Sequence, residues 1–471
     1  MTVAVRLIVA AIVAVGLAGG GLALERGIGP RAHPGVERGP VASDAAYCPH
    51  GGGEGWRAWV VLANAAEDAI DVRLTTSSGG APPSASEERM EPGTSRYVEV
   101  AAPLPGTATR VESFGAGVAA GMVVAAPEGG LAAEPCATDA GTLWMLPETS
   151  TRRGEDARLL VQNPFAAEAV IDVTLIAAER QLRPGRLQGL VLNPGESRAI
   201  SLHNFALGLD ALGVTVEVPL GRVAVAGVTV SRGGVRASLG VPAFGPARFL
   251  PGLGTVGDVV IRAPGGTEVP FHAELHGAEG GSRLIDLEAI PAGQVEAFPA
   301  PGADGGLVAR VDGDRSMAAG RRMSLPPPEP PAQEERQRGG KGRKGGGRSE
   351  REEEEPPPPA PSDVASTAGV SEPSGRWIAL PAVGPEGGES TLLIQNPAAE
   401  EVEATITFLG PDGPVGEPLV VSVLPSSTLR VPLPEGPPPA AVVDAGDGRL
   451  VVAQAATSAQ AFAVAVGLAL D

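Results

Sequence analysis

The stretch Leu159–Pro164 reads LLVQNP, and Leu392–Pro397 reads LLIQNP, 233 positions further on. A phrase written twice is either a site needed in two copies or the signature of a domain that is itself copied. The chain around each phrase decides for the domain. VVLANA (60–65) and VIRAP (260–264) occupy the same place in two further units, the third degraded because Ala263 stands where the others have Asn64, Asn163 and Asn396. A second marker follows each phrase: MEPGTSR (90–96), LNPGESR (192–198), IPAGQVE (290–296) and LPSSTLR (424–430). From the Asn-equivalent position to the proline of the second marker the distances are 28, 31, 28 and 29 residues, a spacing that chance does not keep.

Between the markers apolar and polar residues alternate: Ile70, Val72 and Leu74, then Ile171, Val173 and Leu175, then Val402, Ala404, Ile406 and Phe408, with Asp71, Arg73, Asp172, Thr174, Glu403, Thr405 and Thr407 between them. Period two predicts strands with one buried face in antiparallel sheets. Asn-Pro and Pro-Gly then read as punctuation, Asn by tolerating left-handed backbone and capping turns with its side chain, Pro by stopping a ladder. Each unit closes with apolar stretches such as GMVVAAP (121–127) and VAVAGVTVS (223–231). Short strands with frequent turns over 80–100 residues predict an all-β chain of tandem immunoglobulin-like or fibronectin-like sandwiches. The expected units are 46–140, 141–245, 246–325 (degenerate) and 374–471, strung as a rod or bent string; a propeller would need shorter, more regular blades.

Composition agrees. Gly (66) and Pro (47) exceed a fifth of 471 residues, aromatics are 3%, and a net charge of −19 disfavours nucleic acid as a partner. The N-terminus carries 18 uncharged residues (7–24) after Arg6, read as an uncleaved membrane anchor or a removed signal peptide, with a linker over 25–45. Either reading exports the remainder. In an oxidising compartment Cys48 and Cys136 are most simply a disulfide, worth about 4–5 kcal/mol by loop entropy. The stretch 326–373, rich in Pro, Gly and charge, has no apolar periodicity and is expected to be disordered. Its Arg/Lys block (336–348) is either a contact for anionic polymers or lipid head groups, or a solvated spacer whose cations are matched by Glu350 and Glu352–Glu355.

Chemistry is sparse. In FHAELHG (271–277), His272, Glu274 and His276 alternate with apolar residues, so a strand would place all three on one face. They are either a two-His, one-carboxylate metal set or the solvent face of a half-buried strand. GAGVAA (115–120) has the letters of a dinucleotide fingerprint without its βαβ context, and VDGDR (311–315) and VDAGDG (443–448) read as Asp-Gly turns before calcium loops. No nucleophile, phosphate-loop or zinc-protease motif is present, and no cofactor is implied. For glycan stacking, Trp56 and Trp59 are the candidate platform, whereas Trp144 and Trp377, each just before a Leu-Pro, read as packing residues.

The apolar N-terminus, the Cys-Pro of CPHGGG (48–53), the second Cys one unit later and the repeated LLVQNP and PGESR phrases resemble an actinobacterial family of exported proteins of unknown function. The resemblance implies a cell-envelope location and supplies no catalytic residue. The leading expectation is a non-enzymatic envelope scaffold or interaction protein, with envelope proteins or polysaccharide as partners and the membrane as a further contact if the N-terminal segment is retained. A glycan-binding accessory protein and a metal-dependent enzyme are the rivals.

Overall fold

The computed structural model of the chain describes residues 44–325 and 364–470, apart from 80, 128, 179, 233, 254–255, 267, 287–288, 301–304 and 459–460. The described residues form one compact unit. The described residues are all-β, with two short 3-10 turns and no α-helix. The expected anchor or signal (1–24) lies outside them, and among the described residues no helix is long and apolar enough to cross a membrane.

One eight-strand plan occurs four times. The first module runs β1 (Asp44–Cys48), β2 (Arg57–Asn64), β3 (Ile70–Ser78), β4 (Ala81–Met90), β5 (Ser95–Val100), β6 (Ala108–Ser113), β7 (Val118–Ala125) and β8 (Leu131–Pro135). The second runs β9 (Leu143–Thr149), β10 (Asp156–Gln162), β11 (Ala169–Ile176), a fourth strand broken into β12 (Gln181–Leu182) and β13 (Leu190–Leu192), then β14 (Ser197–Ser201), β15 (Leu212–Leu220), β16 (Ala224–Ser231) and β17 (Gly234–Leu239). The third is β18 (Ala247–Leu250), β19 (Val256–Arg262), β20 (Phe271–His276), β21 (Ser282–Asp286), β22 (Val295–Pro299), β23 (Gly306–Val311), β24 (Ala318–Ser324) and β25 (Val364–Thr367). The fourth is β26 (Arg376–Ala379), β27 (Glu389–Asn396), β28 (Val402–Gly410), β29 (Gly413–Val423), β30 (Ser427–Pro432), β31 (Ala440–Asp444), β32 (Val451–Ser458) and β33 (Ala461–Val466), with a terminal β34 (Leu468–Ala469).

In each module the first, sixth, third and fourth strands make one antiparallel sheet, and the fifth, second, seventh and eighth make the other. The antibody constant-domain sheets, numbered the same way, would be 1-2-5-4 and 3-6-7. Here the first and fourth strands lie with the third and sixth, and the seventh lies with the second and fifth, which leaves the seventh and eighth together at one edge of the inner sheet. The alternating apolar residues fall inside as expected: Ile171, Val173, Leu175 and Ile406 are fully buried.

The expected rod is overturned. β8 packs against β17, β17 against β25, β25 against β33, and β33 back against β8, so the four modules close in a ring around their eighth strands. The physical reason lies in the inner sheets. Arg57 apart, every residue of β2 is buried, the even-numbered ones in the sandwich core with β3 and β6, and Trp59, Val61 and Ala63 against Ile378, Leu380 and Leu409 of the fourth module. A sheet apolar on both faces needs a cover on both faces. The other seams repeat the arrangement: Leu160 and Val228 enter the first module's core, Ile176 meets Val260 and Val295, and Met323 and Ala365 meet Leu393 and Phe462. Hydroxyls bridge the same joints, Ser197 Oγ donating to the Ser77 carbonyl at 3.1 Å and Thr428 Oγ1 to the His276 carbonyl at 2.9 Å.

One boundary is corrected. Val364–Thr367 pairs with β24, and Phe249 bridges Val370, so at least 364–370 belongs to the third module rather than to a structureless stretch ending at 373. Four strand-forming residues were hidden in a window dominated by Pro, Gly and charge. The rest of the expected linker, 326–363, lies outside the described residues.

Candidate functional site

The repeated asparagines are the natural first candidates, and each does the same local work. Asn64 Nδ2 donates to the carbonyls of Asp68 (2.8 Å), Met90 (3.1 Å) and Glu91 (3.2 Å), while its Oδ1 accepts the Ala66 N–H at 3.0 Å. Asn163 does this with Ala167, Leu192, Asn193 and Phe165, and Asn396 with Glu400, Val423 and Ala398. All three side chains are buried and tie the end of the second strand to the end of the fourth. None has the left-handed backbone considered for it; that conformation belongs to the following marker, at Gly93, Gly195 and Gly293, and at Ser426 (φ 48°) in the fourth module. The phrase is a staple, copied because the module is copied.

His272, Glu274 and His276 do share one face of β20, in a row running inward. His276 is fully buried and the other two are half-buried. The carboxylate is the hub: Glu274 lies 3.5 Å from His276 Nε2, 3.9 Å from His272 Nε2 and 3.9 Å from Arg310 Nε. The Gln395 amide of the fourth module hydrogen-bonds His276 Nδ1 at 3.2 Å, and His276 Nε2 faces Glu274. Burial holds the His276 imidazole below its ordinary pKa, against the raising effect of Glu274. Hydrogen bonds therefore run from Gln395 through His276 to Glu274 across the seam of modules three and four, with His272 and Arg310 at ion-pair distance from the same carboxylate. Among the described residues no three His, Cys, Asp or Glu side chains are placed to hold an ion.

The tryptophans divide differently from the expectation. Trp59 is 4% exposed, clasped between modules one and four with Arg57 stacked on its ring at 4.6 Å, so it is no open platform. Its period-two position on a strand buried on both faces explains this. Trp56 is half-buried and folds over Gly53. Trp144 and Trp377 are packing residues as read, each donating its indole N–H to the carbonyl just before the seventh strand, Val223 at 2.7 Å and Leu450 at 2.9 Å. Cys48 and Cys136 form the disulfide, closing the first module's ends together with a Tyr47–Ala137 bridge.

Sequence reading missed the ring's interior acids. Glu134 on β8 and Glu148 on β9 are both buried, and burial, with Glu148 close by, pushes the Glu134 carboxyl well above the ordinary range. Burial likewise raises Glu148, although Ser238 hydrogen-bonds it and Arg236 and Arg322 oppose the shift. Glu148 lies on Gly320, where any Cβ would come within 2.5 Å of its Oε2. The visible signal was a single acid in the apolar run LAAEP.

Two features reach the surface. A cleft of about 1020 Å³ on the fourth module is bordered by Glu403, Thr405, Arg376, Asp444, Asp447 and Arg449. Asp444 there caps its own turn, accepting the Gly446 N–H at 2.9 Å. The second is β29, eleven residues long and last in its sheet, on which Val415, Leu419 and Val420 are exposed.

With the geometry in view, comparison supplies one relation. Residues 94–326 match the model of a family of unknown function, DUF5719. The match runs from within the second marker of the first module to just past β24, so it takes in β5–β8, the whole second module and the third module as far as its seventh strand. No match was found among curated proteins.

Proposed function

We propose that the chain is a non-enzymatic, extracytoplasmic scaffold or interaction protein of the cell envelope. The observation that carries this reading is the identical use of Asn64, Asn163 and Asn396: what the modules repeat is a backbone staple, so repetition copies rigidity. The Cys48–Cys136 disulfide supports an oxidising compartment. The His272–Glu274–His276 row supports the same reading, since His276 is tied to Glu274 and to Gln395 of a neighbouring module. A retained N-terminal apolar segment would add a membrane tether.

The test is capture by residues 25–471 of envelope proteins and envelope polysaccharide, with and without EDTA. Capture of specific proteins, insensitive to EDTA, is the expected result. Retention on polysaccharide that Trp56→Ala abolishes would replace the scaffold with a glycan-binding protein, and EDTA-sensitive capture lost in His272→Ala would replace it with a metal site.

A further inference from the structure

We propose that the first module carries a side-chain socket: the open mouth of its sandwich takes one branched aliphatic residue, flanked by an arginine, from a short segment of a partner protein. This rests on the interaction-protein reading and deepens it by stating the partner's chemistry.

The mouth lies where β4 ends one sheet of the module and β5 ends the other. It is a cavity of about 450 Å³ lined by Leu74, Val98, Val100 and Leu104 and edged by Ser84 and Ser86, with Leu104 49% exposed. Pro82 and Pro83 on β4 obstruct a further ladder, so a partner engages here through a side chain rather than by adding a strand.

The other three modules show what belongs in this place. Leu74 lies ten residues after Asn64, and Val173, Ala273 and Ile406 lie ten after the positions equivalent to it. Val98 pairs with the residue four before Asn64, and Ile200, Phe298 and Val431 pair in the same way in their modules. Opposite Leu74 the first module has only Ser86. Opposite Ala273 the third has Ile285, packed with Phe298 on its core, and opposite Ile406 the fourth has Leu419. The second module breaks its fourth strand and turns Leu187 inward from the 3-10 turn Gly185–Leu187; this side chain is 3% exposed and shares a core with Val173 and Ile200. Gln188 secures the turn, donating Nε2 to the Val173 carbonyl at 2.8 Å. Three modules thus supply their own branched aliphatic side chain, and the first leaves its place open. Aliphatic walls without a neighbour forfeit dispersion contacts that an entering side chain restores.

Charge sets the flank. Among the described residues Glu99 is the one charged residue lining the mouth; it meets Arg57 at 3.3 Å, yet its side chain is 58% exposed. In a chain carrying −19, a cation beside the aliphatic residue is favoured, as Arg186 stands beside Leu187 in the second module.

The second module's own turn is the probe. Fluorescein-labelled RPGRLQG (183–189) is titrated with the full-length chain in lipid discs and followed by anisotropy. Saturable binding is expected, weakened about tenfold or more when the peptide carries Leu187→Ala, because the buried side chain is lost. Ser86→Ile fills the mouth as Ile285 does in the third module, so this chain should lose peptide binding to the same degree while its urea midpoint holds or rises, which shows that it folds. Glu99→Gln should weaken the peptide about two- to fivefold. Absence of binding up to about 1 mM peptide, equal binding by the Ser86→Ile or Glu99→Gln chain, or indifference to Leu187→Ala overturns the proposal. Peptide binding without capture of envelope proteins would keep the socket and sink the scaffold reading; capture that Ser86→Ile leaves unchanged, with no peptide binding, would do the reverse.

Discussion

Ser95 Oγ donates to the Leu409 carbonyl at 2.5 Å, joining the first module to the last across 314 positions of chain. Tyr97 repeats the join with its hydroxyl on the Pro438 carbonyl at 3.1 Å. These contacts, with Trp59 beneath them, make the four modules a circuit. Trp59→Ala removes the largest side chain of that joint and is expected to cost about 3–5 kcal/mol in urea denaturation. Because the seam is a shared core, the transition should remain single rather than split by module.

The asparagine staple gives a sharper test, since one side chain satisfies three carbonyls and one N–H. Asn163→Ala takes this donor from the buried Leu192 carbonyl and frees the turn held through Ala167, Asn193 and Phe165, and should lower stability by about 1–3 kcal/mol. Asn163→Asp keeps the acceptor for the Phe165 N–H but loses the donors, so it should be no better than alanine at neutral pH.

Ser426 holds a left-handed backbone (φ 48°) where two other modules have Gly93 and Gly195 after the marker proline. A side chain pays conformational strain there that glycine does not. Ser426→Gly should stabilise the chain by about 0.5–1 kcal/mol, read as a higher urea midpoint.

Much of this was legible in sequence. The 28- to 31-residue spacing of the markers and the period-two runs such as Ile171-Val173-Leu175 located the modules and their inward faces. Part of the ring was also written, in apolar runs such as Ala58–Ala63 of β2 and Ala461–Val466 of β33, because such runs mean burial on both faces. What periodicity does not state is which surface covers the second face; that depends on module order in space. Hence Trp59 read as a platform, and Gln395, whose amide reaches His276 from another module, was not singled out. β25 escaped because four residues between Pro-rich stretches carry no period of their own.

The buried acids predict a pH dependence. With its pKa raised in the folded chain, Glu134 stays protonated after the unfolded chain has released its proton, so its contribution is complete below the ordinary carboxylate value near 4.5 and is lost as pH rises through the higher folded value. Glu134→Gln keeps the size and neutrality, and urea midpoints measured from mildly acidic to alkaline pH should fall less steeply than in the unaltered chain. His50 acts in the opposite sense. Burial lowers it from 6.5 to about 4, so its contribution is present above 6.5 and lost as pH falls toward 4.

Closure itself is the claim on which the rest depends. Glu99 and Glu386 are both exposed and both pair with Arg57, from opposite sides of the joint between the first and last modules. The double variant Glu99→Cys, Glu386→Cys, treated with a short bismaleimide at high dilution, should form an intramolecular crosslink in nearly every molecule while the single variants form none. A double variant that remains uncrosslinked, or links only between molecules as concentration rises, would mean that the modules form an open string and would contradict the ring.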